Sequence, residues 1–213
     1  MTDNIPRAKK NADAVYGSNS RNEIEAVYDK WAKDYDQDAK NHFGYLGPEM
    51  AFERFQRFVS KDAHILDAGA GTGRLGELLS EAGYTNLTGF DLSLGMLKVA
   101  EERRVYQTLH HMALGETLGF ADNEFSATAC IGTLTTGHAP AESIDELVRV
   151  TRPDGLLILS LNLDTYGSDG IKDRVEKLLA EGHWTLVEAS GPIKIMPVGE
   201  PEMNHDIRVY RAS

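Results

Sequence analysis

Two short segments rich in glycine and acid carry most of the chemistry this sequence offers. The first is Ile65-Leu66-Asp67-Ala68-Gly69-Ala70-Gly71-Thr72-Gly73. Glycines at 69, 71 and 73 permit positive φ and let a ligand approach the backbone with no Cβ in the way. A dinucleotide site wants G-x-G-x-x-G, with a pyrophosphate on the N-terminus of the next helix. Here Arg74 stands where that pattern needs its last glycine, so the spacing disfavours a nicotinamide dinucleotide. Asp67, just before the loop, suits a ligand with a cationic amino group. The second segment is Gly89-Phe90-Asp91-Leu92-Ser93, whose acid lies 24 positions after Asp67. An acid ending a second strand can accept hydrogen bonds from both hydroxyls of an adenosine ribose. The alternative makes Asp91 or Ser93 the N-cap of the following helix. Paired with the glycine turn, the ribose role is the stronger expectation.

The elements around these segments alternate. Apolar runs at 64–68, 86–90, 108–114, 125–132 and 156–162 read as strands, and 73–82, 93–104, 141–151 and 171–181 read as helices. Strands at 184–189 and 206–211 follow with no helix between them, which predicts an antiparallel hairpin at one edge. Continuous apolar strands alternating with amphipathic helices predict a parallel sheet covered on both faces. The expected fold is α/β: a doubly wound, Rossmann-like, mostly parallel seven-stranded sheet. Ahead of it, Ile24, Val27, Tyr28, Trp31 and Tyr35 recur at helical spacing, and Pro48–Val59 reads as a second helix. Residues 21–60 are therefore expected to form an N-terminal helical arm that serves as a lid. Residues 1–20 read as a flexible polar leader, broken by Asn4, Pro6, Gly17, Ser18, Asn19 and Ser20. One domain over 21–213 is the expected organisation.

Composition narrows the function. Thirty-three acids against 22 Lys and Arg give a net charge of −11, which repels phosphate backbones and argues against a nucleic-acid partner. No apolar run reaches the roughly 18 residues that a membrane span needs, and no signal-peptide h-region opens the chain. The single cysteine, Cys130, reads as a small buried residue of the fourth strand, and no metal-ligand spacing occurs. These observations predict a cytoplasmic, metal-independent protein that binds neither nucleic acid nor membrane. Its oligomeric state is left open.

Asp67–Gly73 together with Gly89–Ser93 resembles the cofactor motif pair of class I S-adenosylmethionine-dependent methyltransferases. Ala113–Phe120 resembles the family's third-strand loop beside adenine, and Glu146–Leu156 its helix-to-fifth-strand turn. Tyr28–Asp38 and Ile131–His138 resemble more narrowly the family of the methyltransferase-like protein encoded in the Williams–Beuren syndrome region. The resemblance implies S-adenosylmethionine as cofactor, with S-adenosylhomocysteine as product, and a small-molecule acceptor. It implies a site built from Asp67, Gly69, Ala70, Gly71, Gly73, Asp91, Leu92 and Met96, with Ile131 and Gly132 beneath the methyl. Many relatives carry an acid at the position of Leu114; here Gly115 or Glu116 would have to hold the adenine amino group instead.

Methyl transfer is an in-line displacement and needs no protein nucleophile. Aromatic faces favour a sulfonium by cation–π attraction, which makes Tyr28 and Tyr35 cofactor candidates while Trp31 reads as core. His138 is the candidate base, against the alternative of a helix-entry histidine. The segment Cys130–Pro140 lacks the Asn/Asp-Pro-Pro-aromatic pattern of enzymes that methylate nucleic acids or protein amides. His42, His110, His111, His183 and His205 show no ligand spacing and read as structural or solvent-facing. Two other functions stay open at this level: a nicotinamide-dependent oxidoreductase, and a non-catalytic S-adenosylmethionine-binding protein.

Overall fold

The computed structural model describes residues 6–18, 20–135, 139–168 and 170–213. A helical arm comes first: α1 (Arg7–Tyr16), α2 (Arg21–Asp38), a π-helical turn (Ala39–Phe43) and α3 (Gly47–Phe58). The sheet unit follows as β1 (Ile65–Ala68), α4 (Arg74–Glu81), β2 (Leu87–Asp91), α5 (Leu94–Arg103) and β3 (Thr108–His111). It continues as β4 (Phe125–Cys130), α6 (Ser143–Val150), β5 (Thr151–Asn162), α7 (Ile171–Ala180), β6 (Trp184–Ala189) and β7 (His205–Ala212).

The seven strands form one sheet in the order β3-β2-β1-β4-β5-β7-β6. The pairs β1–β2, β2–β3, β1–β4 and β4–β5 are parallel, and β7 runs antiparallel to both β5 and β6. The expected edge hairpin exists, with its second strand inserted between β5 and β6. Strand order reverses between β1 and β4, so a crevice opens there at the carboxyl edge, where open α/β sheets bind ligands.

Alternation along the strands builds two cores. Leu66, Cys130, Leu157 and Leu159 face Ile144, Leu147 and Val150 of α6 and Val175 and Leu178 of α7. Their neighbours Ile65, Ala129 and Ile158 face the other way, onto Phe55 of α3 and Leu75 and Leu79 of α4. Side chains of a strand alternate between faces, so a run that is apolar throughout must be covered on both.

The leader departs from expectation, because α1 lies inside it. Ala8 and Val15 of α1 are buried, and Ala8 belongs to a third cluster with Trp31 and Phe43. Small side chains carry little periodic signal, and polar contacts do the docking. Arg7 donates from Nε and Nη2 to Asp38 at 3.1 and 2.9 Å and pairs with Asp34 at 2.7 Å. Asp38 is 4% exposed, and Trp31 Nε1 also donates to it at 2.9 Å. Burial opposes ionisation of Asp38, yet the Arg7 and Trp31 hydrogen bonds prevail and hold its pKa below the usual value. Ser20, at the end of the expected leader, is the N-cap of α2 and accepts from Glu23 N–H at 3.3 Å. Other differences are local: β3 stops at His111 rather than 114, and β5 begins at Thr151 rather than 156.

Candidate functional site

The glycine turn leaves β1 in left-handed backbone. Gly69 and Gly71 have φ of +75° and +55°. A Cβ on Gly69 would lie 2.6 Å from Thr133 Oγ1, whereas one on Gly71 would meet nothing within 4 Å. Gly71 therefore borders open space, as a close backbone approach to a ligand requires. Gly73 serves differently. It caps α4 at φ +83°, and its Cβ would press on Tyr106 and Ala100, so it is a packing glycine.

Asp91 ends β2 opposite that turn. Its Oδ2 accepts from Gly71 N–H at 2.8 Å and its Oδ1 from Ser93 N–H at 2.8 Å. Burial pushes its pKa up, opposed by those backbone amides and by His111. The capping role goes to Ser93, whose Oγ accepts from Met96 N–H at 3.0 Å. Asp91 is thus left to fix the turn and to line the crevice. Asp67 is 4% exposed and accepts from the Tyr106 hydroxyl at 2.7 Å. Burial raises its pKa to about 6, the Tyr106 hydrogen bond lowers it, and the nearby Asp91 charge raises it further.

Three cavities meet at this edge of the sheet. One, of about 730 Å³, is lined by Gly69, Gly71, Asp91, Leu92, Met96, Ile131 and Gly132, with Tyr28 and Tyr35 from α2. Phe90, Met112 and Leu114 complete its apolar walls. Ala113 and Leu114 take the place expected of Gly115 and Glu116. Gly115 packs toward Pro140, and Glu116 pairs with Arg21 at the start of α2. The second cavity, of about 1360 Å³, is charged and includes Asp36, Lys40, Glu49, Asp67, Ala70, Arg74 and Arg103. Arg74 donates to Glu49 at 2.9 Å and to Glu77 at 2.7 Å, so acids and bases alternate around this space. The third, of about 740 Å³, lies under α1 and is walled by Trp31, Phe43 and Ile195, with Ser160, Asn162 and His205 at the sheet edge. Tyr28, Tyr45 and Gly132 belong to both the first and the third, and Tyr35 and Tyr45 border all three. Burial holds Tyr28, Tyr35 and Tyr45 in the phenol form.

Sequence reasoning missed Tyr45, Thr133, Arg21 and the whole third cavity. Asn162 and His205 face each other across the antiparallel β5–β7 pair, 43 positions apart, so no local spacing joins them. His138, the base candidate, lies outside the described residues. Cys130 is fully buried in β4, and burial raises its thiol pKa to about 12, as suits a packing residue.

The first cavity fits an adenosine: apolar walls, an open backbone at Gly71, and a carboxylate at the end of β2. The charged cavity beside it carries both signs of charge, as the amino-acid end of S-adenosylmethionine requires. The cofactor is S-adenosylmethionine, and solved structures of this fold hold it or its product. The chain belongs to the class I S-adenosylmethionine-dependent methyltransferases. Residues 66–159 match a family model described as "Methyltransferase domain". Human methyltransferase-like protein 27 is 30% identical over 84% of this chain and 76% of its own length. Demethylmenaquinone methyltransferase of Renibacterium salmoninarum is 33% identical over 65% of this chain and 58% of its own length. The crystal structure of the [4+2]-cyclase SpnF superposes with a TM-score of 0.71 at 15% identity, covering 92% of this chain and 97% of that one. Such a likeness shows the shared fold alone.

Proposed function

We propose that this chain transfers a methyl group from S-adenosylmethionine to a small-molecule acceptor held in the third cavity. One observation carries the reading: the adenosine cavity and the cavity under α1 share a wall of Tyr28, Tyr45 and Gly132. A second space opening beside that of the cofactor is what a two-substrate transfer needs. The name of the demethylmenaquinone relative, which specifies a small-molecule acceptor, supports the same class.

When bound, S-adenosylmethionine supplies a methyl group activated by a sulfonium. Asp91 would accept hydrogen bonds from the ribose, and Gly71 would give it room along the backbone. Met96, Phe90 and Leu114 would supply the apolar walls beside the adenine. Asp67 faces the amino group, which draws its buried carboxyl toward the ionised form. Tyr28, Tyr35 and Tyr45 present phenol rings where the cavities meet, excluding water and favouring positive charge. Alignment across that junction supplies most of the catalysis, since no protein nucleophile is required.

The test is incubation with S-adenosylmethionine and a chemically diverse small-molecule library, with S-adenosylhomocysteine quantified by mass spectrometry. Acceptor-dependent release supports the reading. Product binding with no release for any acceptor would leave a binding protein rather than an enzyme.

A further inference from the structure

We propose that the cavity under α1 takes a flat, uncharged acceptor whose hydroxyl or ring N–H is hydrogen-bonded to His205 Nδ1, so that His205 selects the acceptor. The proposal rests on the methyl-transfer reading above and names the acceptor class within it.

His205 is the first residue of β7 and is 5% exposed. Its backbone is held by a reciprocal pair of hydrogen bonds to Ile193. The amide N–H donates to Ile193 O at 2.9 Å, and its carbonyl accepts from Ile193 N–H at 2.8 Å. The residue lines the cavity, and Nδ1 is buried with no hydrogen-bond partner among the described residues. A buried polar atom left unpaired is destabilising, so one on a rigidly placed residue that lines a cavity points to a ligand that pairs it. Burial keeps the imidazole neutral, lowering its pKa to about 4 against the opposing pull of Asp164. A neutral imidazole has one nitrogen that accepts, and in the Nε2–H tautomer that nitrogen is Nδ1. A ligand donor is its natural partner.

The rest of the lining selects against charge. Neither lysine nor arginine appears among the described residues around this cavity, so an anionic acceptor would lose its water without gaining a counter-charge. Glu200 is the acid at the rim, near α1, and burial raises its pKa toward the neutral form. Trp31, Tyr35, Phe43 and Tyr45 provide ring faces instead. Trp31 and Tyr35 meet edge to face at 4.9 Å, and Trp31 and Phe43 at 6.4 Å, which fixes the wall's shape. Flat apolar molecules fill such a space with little polar surface left unsatisfied.

The test is calorimetric titration of the full chain, saturated with S-adenosylhomocysteine, with compounds that share one bicyclic ring. These are 1-naphthol, 1-methoxynaphthalene, 1-naphthoate and 1-naphthylmethylammonium. The expected result is that 1-naphthol binds about ten-fold more tightly than the methyl ether and than either ion. His205→Leu removes that ten-fold advantage and leaves S-adenosylhomocysteine affinity unchanged. If the variant does not fold, nitrogen NMR of the wild-type imidazole replaces it, and Nδ1 shifts when 1-naphthol is added. Tighter binding of either ion, an advantage that survives His205→Leu, an unshifted Nδ1, or failure of every probe overturns the proposal. Failure of wild-type protein to bind S-adenosylhomocysteine, seen before any probe is added, overturns the function reading itself.

Discussion

Gly71 N–H donates to Asp91 Oδ2 at 2.8 Å, which joins the β1 turn and the end of β2 into one unit. The parallel β1–β2 pairing, Asp67 beside Gly89 and Ala68 beside Phe90, brings the two together. The acid that lines the cavity therefore also holds the glycine turn that lines it. Asp91→Ala should weaken S-adenosylmethionine binding by about 2–4 kcal/mol, through lost charge-assisted hydrogen bonds and a loosened turn. Unchanged calorimetric affinity in a folded variant would remove Asp91 from the site.

Gly71→Val tests the turn from the other side. The φ of +55° disfavours a β-branched residue, and the added side chain would enter the open space of the cavity. Binding should fall by at least about a hundred-fold, roughly 2.7 kcal/mol, while far-ultraviolet circular dichroism stays native. Normal affinity would mean the turn is only a structural bend.

The burial of Asp67 has a pH signature. Its folded-state pKa of about 6 lies above the ordinary 3.8, so folding takes up a proton between those values. Its contribution to stability is full below about pH 4 and is lost as pH rises through about 6. Asp67→Asn, which can still accept from Tyr106, should therefore stabilise the cofactor-free protein above pH 6 by up to about 3 kcal/mol. It should change little at pH 3.5 and should weaken S-adenosylmethionine binding. Thermal melts across that range check the sign, and a stabilisation seen only at low pH would refute it.

Order in the arm should depend on the site. Between its buried residues α2 is held by polar contacts: Asp29 accepts from Ser93 Oγ at 2.6 Å and from Gly95 N–H at 2.7 Å, and Asp36 pairs with Arg103. Segments held this way open at lower free energy than packed strands. Hydrogen exchange over 21–38 should slow on adding S-adenosylhomocysteine more than exchange in β5 does. Equal protection with and without ligand would make the arm a fixed part of the core.

Docking of α1 rests on the Arg7–Asp38 fork. Arg7→Ala leaves the buried Asp38 with Trp31 Nε1 as its side-chain donor among the described residues and should expose 7–16 to protease, with a small change in the melting of the sheet unit. Cleavage rates in α1 that match wild type would show that apolar packing of Ala8 and Val15 suffices.

Most of the sheet unit was legible because its signals are local. Two-faced burial makes β5 apolar over Leu156–Leu159, and the glycine turn advertises its φ values through residue type. The arm was half legible. Aromatic spacing predicts α2, but α1 buries only small residues and docks through Arg7, whose partners lie 27 and 31 positions away.

Sequence alone determines a doubly wound α/β chain with a glycine turn at Asp67–Gly73 and an acid, Asp91, ending the second strand, because periodicity and turn chemistry are properties of short segments. Tertiary structure decided the rest. It packs Gly73 against Tyr106 and Ala100, and it lines the cavity with Ala113 and Leu114 while Glu116 pairs with Arg21. It also set His205 opposite Asn162 under the aromatic residues of the arm. Those relations depend on strand order and on how far the arm folds back over the sheet. Both follow from contacts between residues distant in sequence, which no local pattern records.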